Sequence, residues 1–321
     1  MAEAELWSGT VRAARGSEVV EELSLGVLGG PGTPPCSPTS RFQAGSISKL
    51  VQSVVALHLA DRHRLRLDEP ISRRLGDLPP AWSTITLHQL LTHTSGLGHW
   101  GDIPGLPPLL ESPPPPDDLV ALVISAPLAY PPGAGWRYSG PGFVLAALVL
   151  EAAAGRPYSD LADDLVIGAA GLSGTTSGRF PVGDADVATG HHRGSAIRVD
   201  PGFAGIPGTG DVWTTTADLV RLAQALRGGD LLAPASAAGL WTPHARLPGS
   251  RDTGSPLRME AYGYGTFLGQ LGGRTARMNP GDNPGFQSLL AYLPDDDLDL
   301  AILCNEDAPS VEAAVRDLGL A

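Results

Sequence analysis

Residues 42–49 read FQAGSISK, and this stretch decides how the rest of the chain is interpreted. Apolar residues recur at helical spacing after it, which predicts a helix over residues 47–61. Ser46 and Lys49 are three positions apart, so this helix would place both side chains on one face, within reach of each other. Ser46 either caps the helix or, with the helix dipole and free amides beside it, acts as a nucleophile.

Lys49 is the single lysine of the chain, which contains 22 lysines and arginines together. A guanidinium group stays protonated in proteins, whereas an ammonium group can lose its proton when it is buried. A role as a base would therefore retain lysine at this position. The alternative is a leftover surface lysine.

Composition and charge restrict the class of protein and its partners. With 42% hydrophobic and 17% charged residues, the 321-residue chain can bury a sizeable core in one large domain or two smaller ones. Its formal net charge of -12 would repel nucleic acid and anionic membranes, which favours a small-molecule partner. The N-terminus has no basic or apolar leader pattern, and the longest apolar run, residues 143–150, is too short to span a bilayer. We therefore expect a cytoplasmic protein.

The order of predicted elements indicates a sheet interrupted by a helical insertion. Residues 9–28 alternate as two strands, and short helices and loops are predicted from residue 65 to 202. Strands return afterwards, over residues 263–270, 274–279, 286–293 and 298–304. This order predicts a sheet domain made of residues 1–64 and 203–321, and an inserted helical domain of residues 65–202.

Further motifs follow residues 42–49 along the chain. They are ITLHQLLTHTSGL at 85–97, PG at 132–133 with WRYSG at 136–140, GDVWTTTADL at 210–219 and NPGDNPGFQS at 279–288. Together they resemble the motifs of the serine hydrolases related to class C β-lactamases and penicillin-binding proteins. The similarity extends from about residue 41 to residue 304, which is nearly the whole chain.

This resemblance implies a fold and a catalytic machinery. The fold would be α+β and β-lactamase/transpeptidase-like, with a five-stranded antiparallel sheet flanked by helices, an inserted all-helical domain, and the active site between them. Ser46 would attack an ester, thioester or amide carbonyl and become acylated. Either Lys49 or Tyr138 would take the serine proton, and Tyr138 would protonate the leaving group. The oxyanion hole would be the backbone amides of Ser46 and of Asp282, the residue after Gly281.

Two residues depart from the family pattern. Gly140 stands where the family has an asparagine that binds the acyl-side amide of the substrate, and Asn279 stands where it has a lysine or histidine. Both losses argue against β-lactams and D-alanyl peptides, and a glycine at 140 would leave room for a bulkier acyl group. Trp100 and Trp213 lie close to motifs that face the family's groove, so each either lines the acyl pocket or belongs to the core. The expected substrate contacts are Gly140, Asn279, Gly281, Trp100 and Trp213.

No metal ion or cofactor is expected. The histidines in or beside the 85–97 motif are His88, His93 and His99, and the resemblance implies a structural role there. Cys36 and Cys304 lack the spacing of a zinc site or of a disulfide framework.

Three functions are compatible with the sequence. The first is a serine hydrolase that forms an acyl-enzyme on Ser46 and cleaves a small-molecule ester, thioester or amide. The second is a transacylase or cyclising thioesterase-like enzyme that passes the acyl group to an amine or alcohol. The third is a catalytically silent binding module, against which the joint retention of Ser46, Lys49 and Tyr138 argues. No oligomeric state is predicted.

Overall fold

An eight-stranded antiparallel sheet with helices around it forms the framework of the protein. A computed structural model describes residues 7–109, 111–181, 184–249, 254–307 and 310–320. The strands are β1 (Gly9–Arg15), β2 (Glu18–Leu25), β3 (Phe42–Gln43), β4 (Thr176–Ser177), β5 (His191–His192), β6 (Ser195–Ala196), β7 (Val212–Thr214), β8 (Ala245–Arg246), β9 (Leu257–Tyr262), β10 (Phe267–Leu271), β11 (Arg274–Asn283), β12 (Phe286–Leu293) and β13 (Leu298–Cys304). The α-helices are α1 (Ser48–Asp61), α2 (Leu87–Leu91), α3 (Pro116–Ser125), α4 (Gly140–Ala154), α5 (Tyr158–Ala162), α6 (Thr216–Gly228), α7 (Pro234–Leu240) and α8 (Ser310–Asp317).

The sheet has eight strands, and the implied count of five is wrong. The strand order is β2-β1-β13-β12-β11-β10-β9-β8, with every neighbouring pair antiparallel. The stretch predicted as one strand over residues 263–270 is bent, because the chain turns at Gly265, where φ is +69°. Strand β9 therefore ends before the turn and β10 begins after it. The alternation of apolar and polar residues in LRMEAY, residues 257–262, is the signal that predicts β9.

Helix α1 lies at the centre of the protein and is buried on nearly all sides. Ten successive residues from Ser48 to Leu57 are buried, including the polar Gln52 and Ser53. Gln52 Nε2 donates to the Phe143 carbonyl at 2.7 Å, which ties α1 to α4. A helix that is buried all round is fixed by packing from every direction, so its N-terminus is a rigid platform for side chains.

The strands of the large sheet and the helices α2 to α5 occupy different parts of the chain. The sheet strands all lie before residue 26 or after residue 244, whereas α2 to α5 lie between residues 87 and 162. The predicted division into a sheet domain and an inserted helical domain stays a prediction. Among the described helices, none has both the length and the apolar character needed to cross a bilayer.

Candidate active site

The N-terminus of α1 brings Ser46 and Lys49 together. A 3-10 turn, Gly45–Ile47, leads into the helix, and β3 before it pairs with β7, which joins the 42–49 and 210–219 motifs. Lys49 Nζ donates to Ser46 Oγ at 3.1 Å and to the Gly208 carbonyl at 2.5 Å. The lysine is only 2% exposed, so it is not a leftover surface residue.

Tyr138 completes one side of this group. The Lys49 ammonium lies 5.0 Å from the centre of the Tyr138 ring. The Tyr138 ring is stacked on the Phe267 ring, with 6.1 Å between the ring centroids, and its centroid lies 4.3 Å from that of the His93 ring. The tyrosine comes directly before Ser139, the N-cap of α4, whose Oγ accepts from the Gly142 N–H at 3.0 Å. Helix capping and aromatic packing therefore hold Tyr138 beside the lysine.

Two histidines fix the backbone around Tyr138. His93 Nδ1 accepts from the Ser139 N–H, and His99 Nδ1 accepts from the Gly140 N–H, each at 3.1 Å. Burial, with the nearby Lys49 charge as a further cause, holds the pKa of His93 well below its usual value. His99 is exposed at its surface, and partial desolvation of its ring, again with Lys49 as a further cause, lowers its pKa to about 4. Both rings are thus neutral near pH 7, as acceptors of backbone N–H groups must be.

His88 belongs to a different part of the structure. Its Nδ1 makes a 2.8 Å hydrogen bond with the Tyr264 hydroxyl, and its ring packs edge-on against His244. Across the described residues, no group of three or more metal-ligating side chains occurs. Cys36 and Cys304 are both free and buried.

The free edge of β11 lies against the serine turn, which is the 3-10 turn Gly45–Ile47 that carries Ser46. Strand β10 pairs with β11 only as far as Met278, so residues 279–283 pair on one side alone, with β12. A Cβ on Gly45 would lie 3.3 Å from the Asp282 backbone nitrogen, and one on Gly281 would lie 2.3 Å from the Ala44 carbonyl oxygen. The Asp282 amide is therefore brought close to the turn that carries the Ser46 amide, the arrangement that two oxyanion donors require.

These groups open onto one large cleft of about 1130 Å³. Ser46, Lys49, Tyr138, Asp282 and Trp100 all line it. Most of the remaining wall is apolar, with contributions from Leu106, Leu109, Ile197, Phe203, Met259 and Phe267. A cleft that is largely apolar and has a few converging polar groups is the usual form of a small-molecule site.

Of the five predicted substrate contacts, Trp100 lines the cleft, whereas Gly140, Asn279, Gly281 and Trp213 are not among its lining residues. Asn279 is 6% exposed, and its Nδ2 donates to the Gly265 carbonyl at 2.5 Å. Trp213 is 1% exposed and packs edge-on against Phe180 and Phe286, so neither side chain lines the cleft. The expectation that Gly140 leaves room for a bulkier acyl group is wrong, because the Trp100 indole lies where a Cβ of residue 140 would be, 2.4 Å away at its Nε1.

The structure also adds residues that the motifs did not identify. The Gly208 carbonyl is the second partner of Lys49, and its signal in the sequence is the glycine-rich stretch IPGTGD at 206–211. Asp211, at the end of this stretch, is fully buried, and Ser177 Oγ donates to its Oδ2 at 3.2 Å. Burial raises the pKa of the Asp211 carboxyl to about 6.

Comparison with known proteins shows the family of the chain. Residues 1–321 match the family model described as Beta-lactamase. The putative penicillin-binding protein PbpX of Bacillus subtilis (strain 168) is 26% identical over 291 residues, covering 89% of this chain and 67% of the relative. Esterase EstB of Burkholderia gladioli is 31% identical over 175 residues, which span 48% of this chain and only 42% of the esterase.

Solved structures show the same fold. A penicillin binding protein from Bacillus halodurans superimposes with a TM-score of 0.82 at 25% identity, covering 98% of this chain and 96% of the other. D-amino acid amidase from Ochrobactrum anthropi SV3 superimposes with a TM-score of 0.83 at 22% identity, covering 97% and 94%, which is a likeness of fold. The motif resemblance is thereby confirmed, and the chain belongs to the Beta-lactamase family.

Proposed function

We propose that the protein is a serine hydrolase that forms an acyl-enzyme on Ser46 and cleaves a small-molecule ester or amide. The observation that carries the proposal is the 3.1 Å contact between Lys49 Nζ and Ser46 Oγ, next to the free strand edge at Asp282. A nucleophile, a proton acceptor and backbone donors within one cleft are the parts that acyl transfer needs. Relatives that include an esterase support the same reaction class.

Acylation begins at the contact between Lys49 and Ser46. Ser46 Oγ attacks the carbonyl carbon while its proton passes to Lys49 Nζ or to the Tyr138 oxygen. A neutral lysine amine can keep one N–H on the Gly208 carbonyl and still accept this proton. The negative charge on the carbonyl oxygen is stabilised by the amides of Ser46 and Asp282.

The intermediate then breaks the bond to the leaving group, which takes a proton from Tyr138. If Lys49 took the serine proton, it passes that proton on to Tyr138, so that both groups are restored before deacylation. Deacylation repeats the steps with water as the nucleophile. Its proton goes to the same base, the bond between the acyl carbon and Ser46 Oγ breaks, and the serine regains its proton.

An active-site probe tests the proposal. A fluorophosphonate should label the protein at Ser46, identified by peptide mass spectrometry, and Ser46→Ala should abolish the label. A lack of labelling by phosphonates and by activated esters of varied acyl size would reject the proposal, as would labelling at another residue.

A transacylase is the second candidate, and the size of the cleft favours it. About 1130 Å³ exceeds what a small acyl group fills, so an amine or alcohol acceptor can be accommodated beside it. Product analysis with and without added amines separates the two reactions, because a transacylase forms amide at the expense of acid. The silent binding module predicts instead that Lys49→Arg leaves binding intact and that neither variant nor parent shows turnover.

A further inference from the structure

Gly140 is a glycine because Trp100 covers it. Gly140 is the first residue of α4 and does not have a positive φ, so its backbone conformation does not require glycine. A Cβ at this position would lie 2.4 Å from Trp100 Nε1, 2.6 Å from Cε2 and 2.9 Å from Cζ2. Any side chain at 140 would therefore displace the indole.

The loop that carries Trp100 is anchored to the segment that carries Tyr138. Four hydrogen bonds connect the two segments, and a fifth, from the His99 N–H to Asp102, braces the Trp100 loop itself. They are Ser139 Oγ to the Gly98 carbonyl at 2.7 Å, Gly140 N–H to His99 Nδ1 at 3.1 Å, His99 N–H to Asp102 Oδ2 at 2.7 Å, and Arg137 to both Asp102 oxygens at 2.6 Å. The short turn that carries Trp100 is thus held at both ends, and the Trp100 indole lines the cleft beside it.

The charges along the cleft point to an uncharged substrate. Of the described residues that line it, Lys49 is the one lysine or arginine, and its Nζ already contacts Ser46 and Gly208. The carboxylates of Glu111 and Asp282 lie on the same walls. A substrate carboxylate in this cleft would thus meet two carboxylates and no unpaired lysine or arginine, and His192, which also lines the cleft, already contacts Asp307 at 2.8 Å.

We propose that Trp100, seated over Gly140, determines specificity by selecting an uncharged, flat apolar acyl group that packs on the indole. This inference rests on the proposed acyl-Ser46 chemistry and specifies its substrate class. Trp100 lines the same cleft as Ser46. Its indole is a flat apolar surface, which favours aromatic or long apolar acyl chains over acetyl.

Esters with a common p-nitrophenolate leaving group provide the test. We expect the ratio of kcat/KM for phenylacetate over acetate to fall about tenfold or more in Trp100→Ala. Trp100→Phe should retain most of the ratio. Trp241→Ala, which truncates a tryptophan outside the cleft, should leave the ratio at its parent value.

A double-mutant cycle tests the pairing with Gly140. Gly140→Ala alone should lower the same ratio by displacing the indole, and adding it to Trp100→Ala should lower it no further. The parent should also prefer a p-nitrophenyl ester with a neutral acyl group over one whose acyl group carries a carboxylate. The pair to compare is p-nitrophenyl succinate with its second carboxyl methylated and the same compound with that carboxyl free, the hemisuccinate.

Several outcomes would overturn the inference. They are an unchanged phenylacetate-to-acetate ratio in Trp100→Ala, an effect seen only when the leaving group is varied at constant acyl group, and a preference for the hemisuccinate. Ser46 labelling by a fluorophosphonate is measured in every variant. Absence of labelling in the parent would reject the proposed function itself, whereas labelling with unchanged ratios would reject only the role of Trp100.

Discussion

The substitution Gly281→Ala tests whether the close approach of β11 to the serine turn builds the oxyanion hole. A Cβ at position 281 would lie 2.2 Å from Ser288 Oγ and 2.3 Å from the Ala44 carbonyl oxygen. Ser288 Oγ donates to that same carbonyl at 2.8 Å, so the two atoms hold each other in place. Because an ordinary Cβ contact is 3.4 Å or longer, the strand must move away from the turn by about 1 Å.

A displacement of about 1 Å in a positioned group can cost about a hundredfold in rate, and loss of one oxyanion donor costs about 10² to 10³ in kcat. We therefore expect Gly281→Ala to lower kcat for a p-nitrophenyl ester about a hundredfold. Overpacking should also lower the free energy of unfolding by about 1 to 3 kcal/mol, measured by urea denaturation.

Gly76→Ala is the matched control, since a Cβ at position 76 meets nothing within 4 Å and should change neither quantity. Adding Ser288→Ala to Gly281→Ala should restore only part of kcat, because the Ala44 carbonyl remains in the way. A folded Gly281→Ala variant whose kcat stays within about threefold of the parent would refute the reasoning.

Three more predictions concern buried polar groups. Lys49→Met should stay folded and lower the rate of Ser46 acylation by about 10³ or more, and a rate within about tenfold of the parent would contradict its role in proton transfer. Asn279→Ala should lower the free energy of unfolding by about 1 to 3 kcal/mol by leaving the Gly265 carbonyl unpaired, and a changed acyl selectivity at unchanged stability would show instead that Asn279 contacts substrate. The raised pKa of Asp211 means that its contribution to stability is present below about pH 4 and is lost as the pH rises through about 6. Asp211→Asn should therefore stabilise the protein by about 1 to 3 kcal/mol at pH 8 and have little effect at pH 4, and equal effects at both pH values would contradict this assignment.

The sequence predicted the elements whose signals are local. Helix α1 follows from its apolar spacing, and the pairing of Ser46 with Lys49 follows from helix geometry. The segments that carry Tyr138 and Asp282 lie far from these residues in sequence, and only their motif resemblance connected them before the structure placed them in one cleft.

Features that depend on packing between distant segments were not predictable in the same way. Whether Gly140 leaves a space or is filled depends on the loop containing Trp100, which is anchored by tertiary hydrogen bonds. Asn279 turns toward Gly265 because the bend between β9 and β10 presents the Gly265 carbonyl to it, and a continuous strand over residues 263–270 would not contain that bend. The burial of Trp213 likewise reflects its aromatic neighbours from separate segments.

Capture of the covalent intermediate tests the central claim most directly. Intact-protein mass spectrometry at early times after mixing with a p-nitrophenyl ester should show a mass increase equal to one acyl group, located by peptide mapping on Ser46. The account predicts that this adduct forms at the rate of p-nitrophenolate release and is absent in Ser46→Ala. An acyl adduct located on a residue other than Ser46, or undiminished turnover by Ser46→Ala, would contradict it.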